Sequence, residues 1–485
     1  MRWKITIEGM DEFDGGGAVE MVIEKKVSEL QCGGLGLSIV DGKSIMARLQ
    51  ALVVRQQCEA YVLVSRYCSD CRSFRRIKDR DTRKIRTVFG RVEVDNPRIM
   101  NCRRCVPHFC IASPVLRDIC PDQATPELME LSARMGSLMP YRKAADVLAE
   151  FLPIPATESF MTLRHRTMKL GERLDEKARQ RDWFDPPPSS ERTQAELELP
   201  DDPGREFVVS IDTAHVRCSS AEKARDFEIA VARCGHGRRG SSPGHYFATA
   251  DTSQRGLQCR TLQALQHEGY VGRGELTVIS DGAEIMKRLP KVLPKPTTHI
   301  IDWFHIAMKI QPLQQMADHV ARATDDRSDG VHSVKRDVRS VKWKLWHGQV
   351  DRAIDRLERI EADLVTRAAR ADATAKRMLD LARALLTYIR SNRNAIVDYG
   401  ARYRSGRRIA SSLAESAVNS LVARRMVKKQ QMQWSPLGAH RLLQVRAAVL
   451  NGDLNERLAW QPPEPDQRYR GASMLEPTRP LLKAA

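Results

Sequence analysis

Long apolar segments are absent from this chain of 485 residues. No run reaches the roughly 18 apolar residues that a membrane-spanning helix needs, so the sequence predicts no transmembrane segment. Segment 1–8 alternates apolar and polar residues like a strand and lacks the apolar core of a signal peptide. No internal repeat is visible. We therefore expect a cytoplasmic protein that makes no membrane contact.

Acidic residues are too few to balance the basic ones. The sequence contains 79 Lys and Arg against 61 Asp and Glu, and its formal net charge is +18. Such a balance favours a polyanionic partner, with nucleic acid the commonest and an anionic membrane surface the main rival. The length predicts about two to four domains, and we assign no chemistry to the N-terminal region 1–60.

Cysteine is unevenly distributed: seven of the 11 cysteines lie between Cys58 and Cys120. In a reducing compartment, such clustering favours metal binding over disulfides. Two Cys-x-x-Cys pairs supply four thiolates, which suit tetrahedral Zn²⁺. The four predicted zinc ligands are Cys68, Cys71, Cys102 and Cys105.

The segment between the two cysteine pairs predicts a hairpin over 85–94, and hence a zinc ribbon in domain 61–120. His108 or Cys110 is an alternative ligand, and four unrelated reduced cysteines are the alternative interpretation. Basic residues crowd positions 72–86. Beside a zinc ribbon, we expect them to contact DNA phosphates rather than only to form a solvated face.

Region 121–183 predicts three helices, the first beginning at Thr125-Pro126. The third helix is basic and amphipathic, which is typical of a helix-turn-helix-like DNA-binding segment. An ordinary small helical bundle is the alternative. The side chains expected off its apolar face, facing DNA, are Arg164, Arg166 and Lys169, together with Arg173. A Pro-rich linker follows at 184–205.

Beyond the linker, strand-like runs at 207–212, 227–232 and 245–250 precede a helix at 257–267. Two further strands follow at 276–281 and 298–302. This order is typical of an α/β domain. We divide the remainder into a first core part 206–310, a helical insertion 311–408, a C-terminal core part 409–452 and a disordered tail 453–485.

Three acidic residues stand out in this α/β region. Asp212 and Asp281 each close an apolar strand-like run, and Glu415 lies at the margin of the apolar face of a helix predicted over 411–430. Taken singly, each is best explained as a strand-end aspartate or a solvated helix glutamate. Taken together, they suit two Mg²⁺ (or Mn²⁺) ions in phosphodiester chemistry, because hard cations prefer carboxylate oxygens.

Four motifs resemble one family of enzymes. They are Val209-Ser-Ile-Asp212, Val278-Ile-Ser-Asp-Gly-Ala283, Ile300-Ile-Asp-Trp-Phe-His305 and Ala414-Glu-Ser-Ala-Val-Asn-Ser-Leu-Val-Ala-Arg-Arg425. Over about residues 61–452 the chain resembles the DDE-class transposases of bacterial insertion sequences, and is closest in pattern to the Kra group.

The resemblance implies an α/β catalytic core of ribonuclease-H-like type, a mixed sheet with flanking helices and an all-α insertion. A zinc ribbon and a helix-turn-helix-like segment precede this core. It also implies that Asp212, Asp281 and Glu415 are the catalytic metal ligands. The expected activity is DNA recombination: nicking of element ends and strand transfer into target DNA. The expected partner is double-stranded DNA, with the protein acting as a homo-oligomer at the nucleoid.

Further residues in these motifs have accessory interpretations. Asp302 and His305 match an Asp-x-x-His element whose role is either structural or in organising DNA, with direct metal ligation by Asp302 as an alternative. Trp434 is either a core residue or a platform for an extruded base. Basic residues beside Glu415 are expected to contact the DNA backbone; they are Arg424, Arg425 and Lys428.

Two competing functions remain at this point. One is a sequence-specific DNA-binding regulator with an inactive nuclease-like domain, and the other is a related structure-specific nuclease.

Overall fold

The structure is a computed structural model. It describes residues 1–8, 18–28, 35–107, 111–154, 159–180, 206–219, 225–237, 244–272, 274–323, 329–368, 373–426 and 432–458. Packing divides the chain into two compact units. The first comprises Met1–Leu170 and the residues from Asn455 onward, and the second comprises Gly171–Leu454. The predicted linker 184–205 falls outside the described residues, as does most of the predicted tail.

The first unit combines a two-stranded ribbon, a three-stranded sheet and several helices. Its elements are β1 (Arg2–Glu8), β2 (Ala18–Glu24), α1 (Ile39–Ser65), β3 (Ile77–Thr87), β4 (Gly90–Met100), β5 (Ala112–Pro114), α2 (Leu116–Ile119), α3 (Pro126–Leu138), α4 (Tyr141–Phe151) and α5 (Phe160–Gln180). The last of these helices continues into the second unit from Gly171. β3, β4 and β5 form an antiparallel sheet in that order, which confirms the predicted hairpin.

Local sequence signals explain where these helices begin. α1 starts at a capping box, in which Ser38 and Asp41 exchange side-chain and backbone hydrogen bonds. Its buried Val54 and Cys58 pack against β4. α3 starts at the predicted position, because Pro126 fits the first helical turn, where its missing N–H is not needed.

The second unit is built on a five-stranded mixed sheet. Its first elements are β6 (Phe207–Arg217), β7 (Asp226–His236), β8 (His245–Thr249), α6 (Gln254–His267), β9 (Leu276–Ser280), α7 (Glu284–Val292) and β10 (Thr297–Ile301). The strand order is β10-β9-β6-β7-β8. β6 pairs antiparallel with β7 and β7 with β8, whereas β9 runs parallel to both β6 and β10. β9 is buried along its whole length and β6 along its first five residues, as expected for the middle strands of a sheet covered on both faces. The predicted α/β class is confirmed.

A helical region follows β10, as the sequence predicts. Its helices are α8 (Trp303–Ala323), α9 (Asp329–Trp346), α10 (Val350–Ala368), α11 (Ala373–Ser391) and α12 (Tyr399–Arg404), with a 3₁₀ turn at Arg393–Ala395. They share one apolar cluster that also includes Ile301 at the end of β10. The buried Tyr399 hydroxyl donates to the Ile301 carbonyl at 2.8 Å, and Arg402 pairs with the buried Glu206 at 2.6 Å. The helical region therefore packs on the sheet through specific contacts.

The chain then returns to the sheet through α13 (Ser412–Val418), a π-helical turn (Asn419–Ala423) and α14 (Pro436–Asn451). The last helix, α15 (Leu454–Leu458), belongs to the first unit from Asn455 onward. The helix predicted over 411–430 begins as expected, but it is α-helical only to Val418 and continues as the π-helical turn to Ala423. Residues 427–430 lie outside the described residues. Asp212 lies within its strand, whereas Asp281 lies just beyond the end of its strand. β6 continues through Asp212 to Arg217, since its antiparallel pairing with β7 extends that far, whereas β9 stops at Ser280 before Asp281.

Candidate active site and metal centre

Asp212 and Asp281 lie side by side at one edge of the sheet because of the register between β6 and β9. The parallel pairing ends with Ser210 opposite Ile279. Two residues further along, the same offset sets Asp212 level with Asp281. Both side chains are half-buried. The Asp281 carboxylate accepts a hydrogen bond from the Ala283 N–H at 2.9 Å, and its carbonyl accepts one from the Tyr388 hydroxyl at 2.8 Å.

Glu415 reaches this edge from α13, which contacts both β6 and β7. Ala414 and Ala417 are buried at 0% and 1% exposure, and Glu415 beside them is half-buried. The π-helical turn follows directly after α13. Such turns are rare and occur frequently at functional sites.

The electrostatics of Asp212 show that the three acids share one environment. Burial raises the pKa of Asp212, and the charges of Asp281 and Glu415 raise it further. The Thr213 N–H, which donates to Asp212 at 2.7 Å, and the neighbouring His305 both act to lower that pKa. Mutual repulsion of this kind is relieved by a bound cation. The three acids do not form a group whose ligand atoms all lie within 4.8 Å of one another; among the described residues, two other groups do.

Asp302 and His305 flank the acids at the start of α8. Asp302 is 1% exposed and its carboxylate is hydrogen-bonded to protein groups, including the Ser411 N–H at 2.9 Å. His305 is half-buried, and its Nε2 has no hydrogen-bond partner among the described residues. The structure therefore places the Asp-x-x-His element beside Asp212.

The residues around the Glu415 helix differ in exposure. Arg424 is exposed, but Arg425 is 3% exposed and its guanidinium lies over the Trp434 ring, 5.1 Å from the centroid. Trp434 is half-buried, and its backbone N–H donates to the Arg217 carbonyl at 2.9 Å beside an isolated β-bridge between Trp434 and Cys218. These contacts favour the core interpretation of Trp434. Lys428 lies outside the described residues.

The four predicted zinc ligands come together in the first unit. The Sγ atoms of Cys68 and Cys105 are 3.8 Å apart, those of Cys71 and Cys102 are 3.4 Å apart, and all four lie within 4.8 Å of one another. Tetrahedral Zn²⁺ with Zn–S bonds of about 2.3 Å separates its sulfurs by about 3.8 Å. The cluster can therefore bind a structural zinc. The alternative ligands His108 and Cys110 lie outside the described residues.

Hydrogen bonds prepare one of these thiols for metal binding. The Ser73 hydroxyl and then the Cys105 backbone N–H lower the pKa of Cys102 to about 6, which favours its thiolate, whereas hydrogen bonding with Cys71 and burial raise the pKa of Cys105. A cavity of about 560 Å³ opens beside the cluster. Its cationic lining consists of Arg75, Arg76, Lys78, Arg103 and Arg104.

The basic residues of α5 do not share one exposed face. Arg164 is exposed, while Lys169 is half-buried and pairs with Asp122 at 2.7 Å. Arg166 is 5% exposed and its Nη1 donates to Ser132 Oγ at 3.3 Å. The expectation that Arg166 lies off the buried face is therefore wrong, because the small Ser132 on α3 leaves room for the guanidinium inside the helical packing.

Sequence patterns missed one further cluster, formed by His245, His267 and Asp453. The two imidazoles stack with centroids 4.3 Å apart, and His245 Nε2 lies 3.6 Å from Asp453. Asn451 forms two hydrogen bonds with the Tyr246 backbone, and its oriented Nδ2 donates to His245 Nε2 at 2.9 Å. The Asn451 amide engages His245 Nε2, the nitrogen that lies near Asp453, and the contacts of this cluster connect β8, α6 and the end of α14.

Comparison with known proteins does not assign the chain to a family. No protein-family model matches the chain, and no curated protein matches it. Among the described residues, no helix combines the length and apolarity required to cross a membrane.

Proposed function

We propose that the chain is a DNA transposase with a ribonuclease-H-like core that nicks element ends and transfers the freed strands into target DNA. The observation that carries the proposal is the meeting of Asp212, Asp281 and Glu415 at one edge of the sheet, from residues far apart in sequence. The mixed five-stranded sheet, with three antiparallel strands followed by two parallel ones, suits that core.

The donor set fits divalent cations. Asp212, Asp281 and Glu415 offer hard carboxylate oxygens. The pKa of Asp212 is raised by burial first and then by the charges of Asp281 and Glu415, and a bound Mg²⁺ or Mn²⁺ would offset that repulsion. When bound, such ions activate the attacking hydroxyl and stabilise the leaving oxygen.

In the first step water attacks the phosphorus, and the strand's 3′-oxygen leaves as a hydroxyl. In the second, that hydroxyl displaces a 3′-oxygen of the target, so each new P–O bond replaces a broken one. Asp212 and Asp281 lie on the neighbouring strand segments of β6 and β9, and α13, which contacts β6 and β7, carries Glu415.

Other parts of the chain suit DNA. The four cysteines and the hairpin between them support a zinc ribbon, and the cationic cavity beside them suits backbone phosphates. Arg424 and Arg164 remain exposed candidates for phosphate contact. Each such contact contributes to binding that weakens with salt, which is consistent with a net charge of +18.

The test uses duplexes carrying the inverted repeats that flank the coding region. We expect Mg²⁺- or Mn²⁺-dependent nicking at the repeat ends followed by joining to a target plasmid, with Asp281→Asn losing both steps and keeping DNA affinity. Wild-type rates in Asp281→Asn contradict the site. Hydrolysis without joining identifies a nuclease, and binding without cleavage under every metal condition identifies a regulator.

A further inference from the structure

Asp302 is a buried carboxylate whose hydrogen-bonding capacity is directed at the protein itself. Oδ1 accepts from the Phe304 N–H at 2.6 Å at the start of α8. Oδ2 accepts from the Ser411 N–H at 2.9 Å and also from the Ser411 hydroxyl. A carboxylate has about four acceptor positions, so most of this capacity is used before any cation is considered.

The backbone of Asp302 adds a second connection. Its N–H donates to the Ser280 carbonyl at 2.8 Å, directly before Asp281. The Trp303 N–H donates to the Ile409 carbonyl at 3.0 Å, close to the start of α13. One short segment therefore touches both the strand end that carries Asp281 and the chain that leads into α13.

Ser411 transmits this contact to Glu415. Ser411 is 1% exposed and is the N-cap residue of α13, and its carbonyl accepts from the Ala414 and Glu415 N–H groups at 2.7 and 3.2 Å. Its hydroxyl forms no hydrogen bond with the helix it begins, because it donates to Asp302. A seven-residue helix has little stability of its own, so its position depends on such anchoring.

We propose that Asp302 is a positioning residue that sets Glu415 relative to Asp281 by holding Ser411, and that it is not itself a metal ligand. Its catalytic consequence rests on the proposed function. The structural consequence is that the Asp302–Ser411 contact holds α13 in place, and this consequence is independent of the proposed function. A misplacement of about 1 Å in a catalytic group can cost on the order of 100-fold in rate.

The test compares Ser411→Ala, Asp302→Asn and the double variant with wild type. Ser435→Ala and Asp398→Asn are matched controls, since each makes the same chemical change at the N-cap of another helix. Hydrogen exchange of the amides in 414–418 is measured in zinc-loaded protein without Mg²⁺ or Mn²⁺. Mn²⁺ binding is measured by electron paramagnetic resonance, and nicking and DNA affinity are measured on the same samples.

We expect both single variants, but neither control, to accelerate exchange across α13. Both should raise the Mn²⁺ concentration for half-saturation by roughly 10- to 100-fold, as loss of a residue that orients a ligand typically does. DNA affinity should be unchanged. Adding Ser411→Ala to Asp302→Asn should have less effect than it has in the wild type, because both residues act through one contact.

Unchanged exchange in Ser411→Ala would overturn the proposal. So would loss of Mn²⁺ binding in Asp302→Asn with wild-type binding in Ser411→Ala, which identifies Asp302 as a ligand. Should Asp302→Asn fail to fold, Ser411→Ala decides alone, since it removes one hydroxyl and keeps the backbone contact. If Asp281→Asn cleaves DNA normally, the proposed function fails while the exchange result stands.

Discussion

Asp175, in the part of α5 that belongs to the second unit, connects that helix to α6 and α14. Its carboxylate accepts hydrogen bonds from Arg260 and from His440 Nε2, the latter at 2.9 Å, and Arg179 Nε lies 3.1 Å from it. Arg260 and His440 are each 5% exposed. Replacing Asp175 by Asn removes the negative charge that compensates the buried guanidinium of Arg260.

The expected loss follows from the pKa of Asp175 and from the burial of its partners. Burial raises this pKa, but the hydrogen bond with His440 and the charges of Arg260 and His440 outweigh it, so that the pKa falls from 3.8 to about 2. At 1.36 kcal/mol per pH unit, this favours the ionised folded form by about 2 kcal/mol. Breaking a buried pair typically costs about 3–5 kcal/mol. We therefore expect Asp175→Asn to lose about 3 kcal/mol at pH 7 and to lower the melting midpoint by about 6–12 °C.

Calorimetric melting at several pH values tests both the size of the stability loss in Asp175→Asn and the direction of its pH dependence. Because the folded-state pKa lies below the ordinary value, the stabilisation is fully present above pH 3.8 and is lost as the pH falls towards 2. The difference between wild type and Asp175→Asn should shrink across this window. Asp226→Asn, at an exposed aspartate of β7, is the control and should melt like wild type. A pH-independent difference, or none at pH 7, refutes the reasoning.

Three further changes probe the two candidate sites. Cys102→Ser should lose bound zinc, measured by metal analysis, and should lower the stability of the first unit, because Cys102 is one of the four clustered thiols. Cys259→Ser on α6 is the control and should retain the zinc, because Cys259 lies outside that cluster. Asp212→Asn should raise the melting midpoint at pH 7 without divalent ions and abolish any Mg²⁺-induced stabilisation. The reason is that a raised pKa makes the ionised carboxylate unfavourable in the folded state above that pKa. Tyr388→Phe should lose about 1 kcal/mol in chemical denaturation, since its hydroxyl donates to the Asp281 carbonyl.

Short apolar runs predicted the strands of the second unit well, because buried strands need little beyond continuous hydrophobicity between polar boundaries. The runs at 276–281 and 298–302 correspond to β9 and β10 within a residue. The extent of β6 was missed because the prediction stopped at the end of the continuous apolar run, whereas the alternating residues 213–217 are also strand and pair with β7. Where a strand ends depends on how far its neighbour pairs with it, and the local sequence pattern does not show which strand that neighbour is.

The basic helix of region 121–183 shows a different limit. Helical periodicity assigns a residue to one face of a helix. It does not show whether small side chains on the neighbouring helix leave space for that residue to be buried. Arg166 is buried because Ser132 faces it with a small side chain that accepts its hydrogen bond. Arg425 is likewise covered, by stacking on Trp434. Long cationic side chains bury their stems readily, so charge alone did not identify which of them face solvent.

The meeting of the three acids could be expected only from family resemblance, because nothing local relates Glu415 to residues so distant in sequence. The structure explains how that distance is bridged. Helices α8–α12 form their own apolar cluster, and Tyr388 and Tyr399 bond to the backbone at the ends of β9 and β10. The chain therefore leaves and re-enters the sheet at one edge, with Ser411 bound to Asp302 at the point of return. Since packing within the helical region compensates the entropy of closing so long a connection, changes to its outer surface should leave the acids in place, whereas changes to these anchoring contacts should not.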